Sequence, residues 1–233
     1  MMISEMSLKI KGGWKRIVKW GLCLVLAVLL LVFLIRVATF ENDYYSSKEG
    51  SERATTEQSA GGELDETEPT EAEVAEYTVA PDRPRYLTIE KLGVNKSRIL
   101  PMGVNVKGEL DTPNNIFDVG WYEGSGKPGQ GGTMMIDGHN GGPHVYGVFK
   151  RLPDLAAGDI IQVERGDGAI FKYAVVENVA VDLANSDDYM STAAKSPERG
   201  KESVTLITCT GEWSQQQGTY LSRQFTRAVI VGD

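Results

Sequence analysis

A chain of 233 residues that is 41% hydrophobic can hold one domain of ordinary size together with extra segments. Its net charge of −8 is unevenly spread: six bases against one acid before residue 41, twelve acids against two bases over 41–80, and nineteen acids against sixteen bases from 81 onward. No basic stripe is left for nucleic acid, and two cysteines far apart, Cys23 in an apolar run and Cys209 near the other end, exclude a disulfide framework and a cysteine-rich metal centre.

In chain order, the basic segment 1–19 comes first, followed by Trp20 to Ile35, "WGLCLVLAVLLLVFLI", sixteen uncharged residues bounded by Lys19 and Arg36. Val37 to Phe40 extend the apolar character, and snorkelling of the two bounding bases brings 20–40 to the roughly 20 residues a bilayer requires. A cleaved signal peptide is the competing reading, but Arg36 stands where cleavage would fall and "RVAT" is a poor site. The expectation is an uncleaved transmembrane helix. Bases before it and acids after it put the N-terminus in the cytoplasm and everything beyond residue 40 outside the cell. Residues 41–83 are rich in Glu, Ser, Thr and Gly and poor in large aliphatics, the composition of an extended, self-repelling tether.

From Pro84 short β-type runs alternate with turn signals. "YLTIEKLGV" opens this region, "GGTMMIDGHN" follows a glycine-rich turn, and "DIIQVERGDGAIFKYAVVENVAVDL" reads as strand, Asp-Gly hairpin, strand. "SDDYMSTAAK" predicts a short helix capped by Ser186 or Asp187. "SVTLITC" and "RQFTRAVIVG" supply two more strands. The expected fold over 84–233 is all-β, a single antiparallel barrel or sandwich with one or two short helices.

Cys209 closes the run Val204 to Thr208, with Thr210-Gly211 expected to break the strand after it. A lone free cysteine is commonly a small buried hydrophobe. A thiol at a strand end beside a loop is also where a nucleophile would sit, and it would need a partner base, because a free thiol near pKa ~8.5 gives little thiolate at neutral pH. Only His139 and His144 are available. His139 ends the run "TMMIDGH", whereas His144 lies in the glycine loop "NGGPHVYG" with no strand to hold it, so His139 is the better base. The terminal strand "YLSRQFTRAVIV" offers Arg223 and Arg227 as a cation for a developing oxyanion. With so few histidines, a metal site would need carboxylates; Asp187, Asp188 and Glu90 form no dense cluster, and neither metal nor cofactor is expected.

In combination, "GH" at a strand end, "TLITC" from Thr205 to Cys209 and an arginine in a terminal strand ending in alanine resemble the sortase family of membrane-anchored cysteine transpeptidases. The family's spacing of five residues before the alanine, here Ala228, selects Arg223 over Arg227. The resemblance covers about 84–233 in the right order and extends to the anchor and tether. NlpC/P60-type peptidases place cysteine before histidine, the reverse of the order here, and the compact "GC" motif of L,D-transpeptidases is absent from "ITCTGEW".

The resemblance implies a closed antiparallel β-barrel of about eight strands. It further implies that Cys209 attacks the Thr–Gly bond of a Leu-Pro-x-Thr-Gly-like sorting signal, that His139 acts as acid and then base, and that Arg223 stabilises the oxyanion. Thr208 would touch substrate or oxyanion. Val179 to Leu183, Tyr189, Met190, Trp213 and Tyr220 are candidates for an apolar substrate groove, ordinary core being their alternative. Partners would be secreted proteins bearing a C-terminal sorting signal, with a peptidoglycan precursor or a pilin amine as acceptor. "GWY" and "PGQGG" are most similar to the class D, E or F groups. A hypothesis of another kind is a catalytically silent, membrane-tethered barrel that binds a peptide partner.

Overall fold

Period-two burial builds the strands. In Ile160–Arg165 the fully buried Ile161 and Val163 alternate with side chains that reach solvent, whereas Pro84–Ile89 buries Tyr86 and Leu87 in succession before Ile89. The computed structural model describes residues 64–104 and 110–232. The expected cytoplasmic segment, transmembrane helix 20–40 and first part of the tether lie outside the described residues. Among the described residues no helix is long and apolar enough to cross a membrane.

The elements, in order, are α1 (Glu71–Glu76), β1 (Pro84–Ile89), β2 (Val94–Met102), β3 (Val119–Tyr122), β4 (Thr133–Gly138), β5 (Ile160–Arg165), β6 (Ile170–Asp182), α2 (Leu183–Ala193), β7 (Ser203–Ser214) and β8 (Thr219–Ile230), with 3₁₀ turns at Glu90–Leu92 and Leu152–Asp154. The eight strands close into a barrel in the order β1-β2-β3-β4-β7-β8-β6-β5, with β5 returning to β1. The Asp167-Gly168 turn joins β5 to β6 as the sequence predicts, Gly168 taking φ +86°.

The barrel is not wholly antiparallel. β2 pairs with β3 and β4 with β7 in parallel. Parallel neighbours need long crossovers, and both pairs have them: residues 103–118 join β2 to β3, while β5, β6 and α2 all intervene between β4 and β7. The interior is filled by Leu87, Ile99, Trp121, Met134, Ile136, Phe149, Tyr173, Val204, Leu206 and Ala228, all nearly or fully buried. Each large side chain there contributes about 1.5–3 kcal/mol by leaving water.

A second cluster lies outside the barrel wall. Met135, Ile207, Phe225 and Ala193 are buried there, with Leu110, Tyr122, Val179, Val181, Tyr189 and Met190 packed against them. Helix α2 covers this cluster. It begins at Leu183 after Asp182 rather than at the Ser186 or Asp187 the sequence suggests: the Ser186 hydroxyl instead donates to the Leu183 carbonyl from inside the first turn.

Residues 64–83, which composition assigns to the tether, are bonded to the barrel. Thr70 and Glu73 form a reciprocal capping box on α1. Tyr77 donates its hydroxyl to the Ile99 carbonyl at 2.6 Å, and burial pushes that phenol up to about 12. Asp65 donates its amide to the Asn114 carbonyl and accepts from the Ile116 amide. Bonds to the barrel thus reach N-terminal of Pro84, as far as Asp65 among the described residues.

Candidate active site

The β7–β8 register sets Cys209 directly opposite Arg223 and Thr205 opposite Arg227. Thr210-Gly211 does not end the strand. Gly211 takes φ +83°, the register slips between Thr210 and Trp213, and β7 continues to Ser214. Cys209 is therefore a half-buried residue one position before a bulge, a device that bends a strand and re-aims its side chains.

On the other flank of β7 runs β4, whose parallel ladder ends at Asp137↔Ile207. One step further, the Thr208 hydroxyl donates to the Gly138 carbonyl at 2.7 Å, prolonging the seam by a side-chain bond. That register sets His139 level with Cys209. Alternation carries the argument to the side chains: Met135, Ile207 and Phe225 lie on the outer face of β4, β7 and β8, and stepping by two places Cys209 and Arg223 on that face. Cys209 on β7, Arg223 on β8 and His139 one residue past the end of β4 converge at one end of the outer cluster.

His139 is buried, at 2% exposure, and is not a surface turn residue. Its Nε2 lies 2.7 Å from the Pro113 carbonyl oxygen. A carbonyl only accepts, so Nε2 carries the proton, and Nδ1 is the ring nitrogen left to exchange one. Beside Pro113, the Thr112 hydroxyl donates to Asp137 at 2.6 Å. Gly120 makes room for this carboxylate: a Cβ there would meet Asp137 Oδ1 at 2.5 Å. Thr112, Pro113 and Asp137 were not legible as site residues; the only signal was their position in turn-forming "DTPNN" and at i−2 of the histidine.

Arg223 is half-buried and donates to the Tyr220 and Ser222 carbonyls and to the Thr219 hydroxyl, which directs its guanidinium along the β7–β8 tip. Arg227 is buried and engaged elsewhere through its two terminal nitrogens. It pairs with Glu177 and donates to the Thr192 and Lys195 carbonyls at the end of α2, where a cation complements the helix dipole. A pocket of about 580 Å³, lined by Glu177, Lys195, Pro197 and Arg227 among others, opens at this end of the face.

Among the other candidates, Thr208 is buried with its hydroxyl committed to Gly138. Trp213 and Tyr220 stack edge to face across the hairpin, 5.1 Å between ring centres. Tyr189 stands apart from them on α2: its ring packs on Phe225, its hydroxyl donates to Glu177, and burial with that carboxylate raises its pKa. Val179, Val181 and Met190 join Tyr189 in the outer cluster, so these candidates are partly buried packing residues that flank the site. His144 is exposed in its loop. Among the described residues no group of three or more His, Cys, Asp or Glu side chains is placed to hold a metal ion.

A family model described as the sortase domain matches residues 87–231. No curated protein matches the chain. Among solved structures, sortase C of Streptococcus pneumoniae is 18% identical, with 73% of this chain and 76% of that one covered at a TM-score of 0.50. A sortase D5 transpeptidase from Clostridium perfringens is 22% identical over 70% of this chain and 90% of that one, TM-score 0.45. Sortase C from Clostridium perfringens SM101 is 20% identical over 67% and 73%, TM-score 0.44. With the domain matched across nearly the whole barrel, the chain belongs to the sortase family.

Proposed function

We propose that the chain is a cysteine transpeptidase that cleaves a Leu-Pro-x-Thr-Gly-like sorting signal between Thr and Gly and passes the acyl group to a cell-surface amine. Cys209 is the nucleophile. Its thiol proton passes to His139 Nδ1, the sulfur attacks the threonine carbonyl, the C–N bond to glycine breaks, and Nδ1 hands that proton to the departing amine. The incoming amine then gives its proton to the same nitrogen as it displaces the sulfur, which takes the proton back as a thiol. Arg223 stabilises the oxyanion in both steps. The observation that carries this reading is the register that places Cys209 opposite Arg223 while the Thr208–Gly138 bond holds the histidine strand level with it.

The outer cluster supplies the substrate surface. Tyr189, Met190, Val181 and Tyr122 flank the approach to Cys209, with Trp213 and Tyr220 at the hairpin tip, apolar surroundings suited to keeping water from a thioester. The Streptococcus pneumoniae relative is described with pilin substrate specificity. A pilin amine is accordingly one acceptor to test beside a peptidoglycan precursor. Residues 20–40 anchor the enzyme, with the N-terminus cytoplasmic and the barrel outside.

The test is intact mass of the full-length protein in detergent, incubated with a Leu-Pro-x-Thr-Gly peptide library, beside the Cys209→Ala variant. An adduct of the peptide's N-terminal part on the wild type alone supports the reading and identifies the motif. A thiol that resists both peptide and alkylating reagent, in a barrel that still binds the peptide, would establish a binding protein instead.

A further inference from the structure

His139 is fixed by contacts outside its own strand, and the two segments that hold it are both fastened by one dipeptide, Asp65-Glu66. On one side stands the segment that supplies the Pro113 carbonyl to Nε2. Its next residues are gripped by Asp65: the Asp65 amide donates to the Asn114 carbonyl at 2.9 Å, the Ile116 amide donates to the Asp65 carbonyl at 3.0 Å, and the Asn115 amide group donates to Asp65 Oδ2 at 3.0 Å. Asn115 also donates to the Thr67 carbonyl at 2.8 Å. Four hydrogen bonds thus secure the backbone next to the histidine's acceptor.

On the other side stands the loop that leaves His139. Its turn is closed by Gly147 donating to Asn140 and by Gly142 donating to Val145. Glu66 completes it: one carboxylate oxygen, Oε1, accepts from the His144 amide at 2.8 Å and from the Val145 amide at 3.2 Å. The carboxylate rests directly on the Cα of Gly142, where a Cβ would collide with it. A charged acceptor taking two backbone amides makes stronger bonds than a neutral one. Bonds from Thr67 and Asn115 lower the Asp65 carboxyl below its usual range.

We infer that Asp65 and Glu66 are positioning residues for His139, a clasp that joins the Pro113 segment to the 141–147 loop and so fixes the imidazole between them. The inference rests on the catalytic role proposed for His139. The clasp lies outside the matched sortase domain, which begins at residue 87, and inside the stretch whose composition suggests only a tether. Its action is indirect. It orients the Pro113 carbonyl, the carbonyl keeps the proton on Nε2, and Nδ1 is thereby kept as the nitrogen that can take up and release a proton. Small misplacements of such a group are expensive, since a shift of about 1 Å can cost up to ~100-fold in rate.

The experiment compares the full-length protein with Glu66→Ala, Glu66→Gln and Gly142→Ala. It reads His139 ring-nitrogen resonances by NMR as a function of pH, alongside single-turnover acylation and KM. Glu66→Ala is expected to lower the acylation rate about ten-fold with KM little changed, and to move the His139 titration. Glu66→Gln keeps an oxygen acceptor for the two amides and should restore both readouts. Gly142→Ala evicts the carboxylate from the loop side and should reproduce the alanine effect; it also carries the test if Glu66→Ala fails to fold. A merely structural clasp would lower the melting temperature while leaving the ring resonances and the rate on folded protein unchanged, and that result overturns the inference. Because the resonances are read without substrate, failure of the clasp is distinguishable from failure of the transpeptidase reading, which would show as an inert Cys209 with the resonances still responding.

Discussion

Two ends of one sheet face hold the same residue type in different surroundings. Arg223 and Arg227 share β8 and point to the same side, four residues apart. Arg227 is buried, paired with Glu177 and bonded to two carbonyls at the end of α2, so its charge is spent in holding the helix on the barrel. Arg223 stands across from Cys209, is half-buried, and bonds only backbone and hydroxyl oxygens among its described contacts. Its charge is thus not given up to Glu177 as that of Arg227 is. The cross-strand partner, more than the residue type or its depth in the strand, decides which of the two cations is tied to the helix.

Substitutions separate the two ends. The largest effect is expected at the Cys209 end: Cys209→Ala should give no peptide adduct by mass spectrometry, and Arg223→Ala should lower kcat/KM by about 100- to 1,000-fold while urea unfolding moves by less than about 0.5 kcal/mol. Arg227→Ala should do the reverse, costing about 2–3 kcal/mol in urea unfolding because it strands Glu177 and two helix carbonyls, with kcat/KM per folded molecule reduced far less. If Arg227→Ala is the catalytically dead one, the comparison is wrong. Thr208→Ala, which removes the bond to Gly138, should cost about 1–2 kcal/mol and also slow acylation, since the clamp sets the histidine strand level with the thiol.

The smallest effect is alkaline. The Tyr189 pKa is raised, first by burial and then by Glu177. A raised folded-state pKa gives stability that is complete below the ordinary tyrosine value of about 10 and is lost as pH climbs through the folded value. Tyr189→Phe should flatten that loss in an unfolding series carried above pH 9, and an unchanged slope would remove Tyr189 from the Arg227 network.

The strands were legible where β-type runs were bounded by turn residues, as in Ile160–Arg165, the apolar start of Ser203–Ser214 and the Asp167-Gly168 hairpin. Cys209, His139 and the choice of Arg223 came from a motif with fixed spacing. Three things did not show, each for a physical reason. The parallel seams depend on which strands become neighbours, a property of closure that no local pattern encodes. The continuation of β7 past Gly211 was missed because a glycine at φ +83° serves a bulge as readily as a strand end. Residues 64–83 were hidden by composition: an acidic, polar segment contributes little apolar burial, yet carboxylates such as Glu66 can be held by backbone amides alone.

The parallel seam between β4 and β7 also sets the order in which the molecule can mature. His139 and Cys209 belong to strands whose pairing must close a loop that contains β5, β6 and α2, and such distant contacts form late because the chain entropy of closure precedes their reward. The β7–β8 hairpin, by contrast, is local and can zip early, so the thiol and the arginine find each other before the imidazole arrives. Until that last seam shuts, Cys209 and Arg223 are paired without His139 level with them.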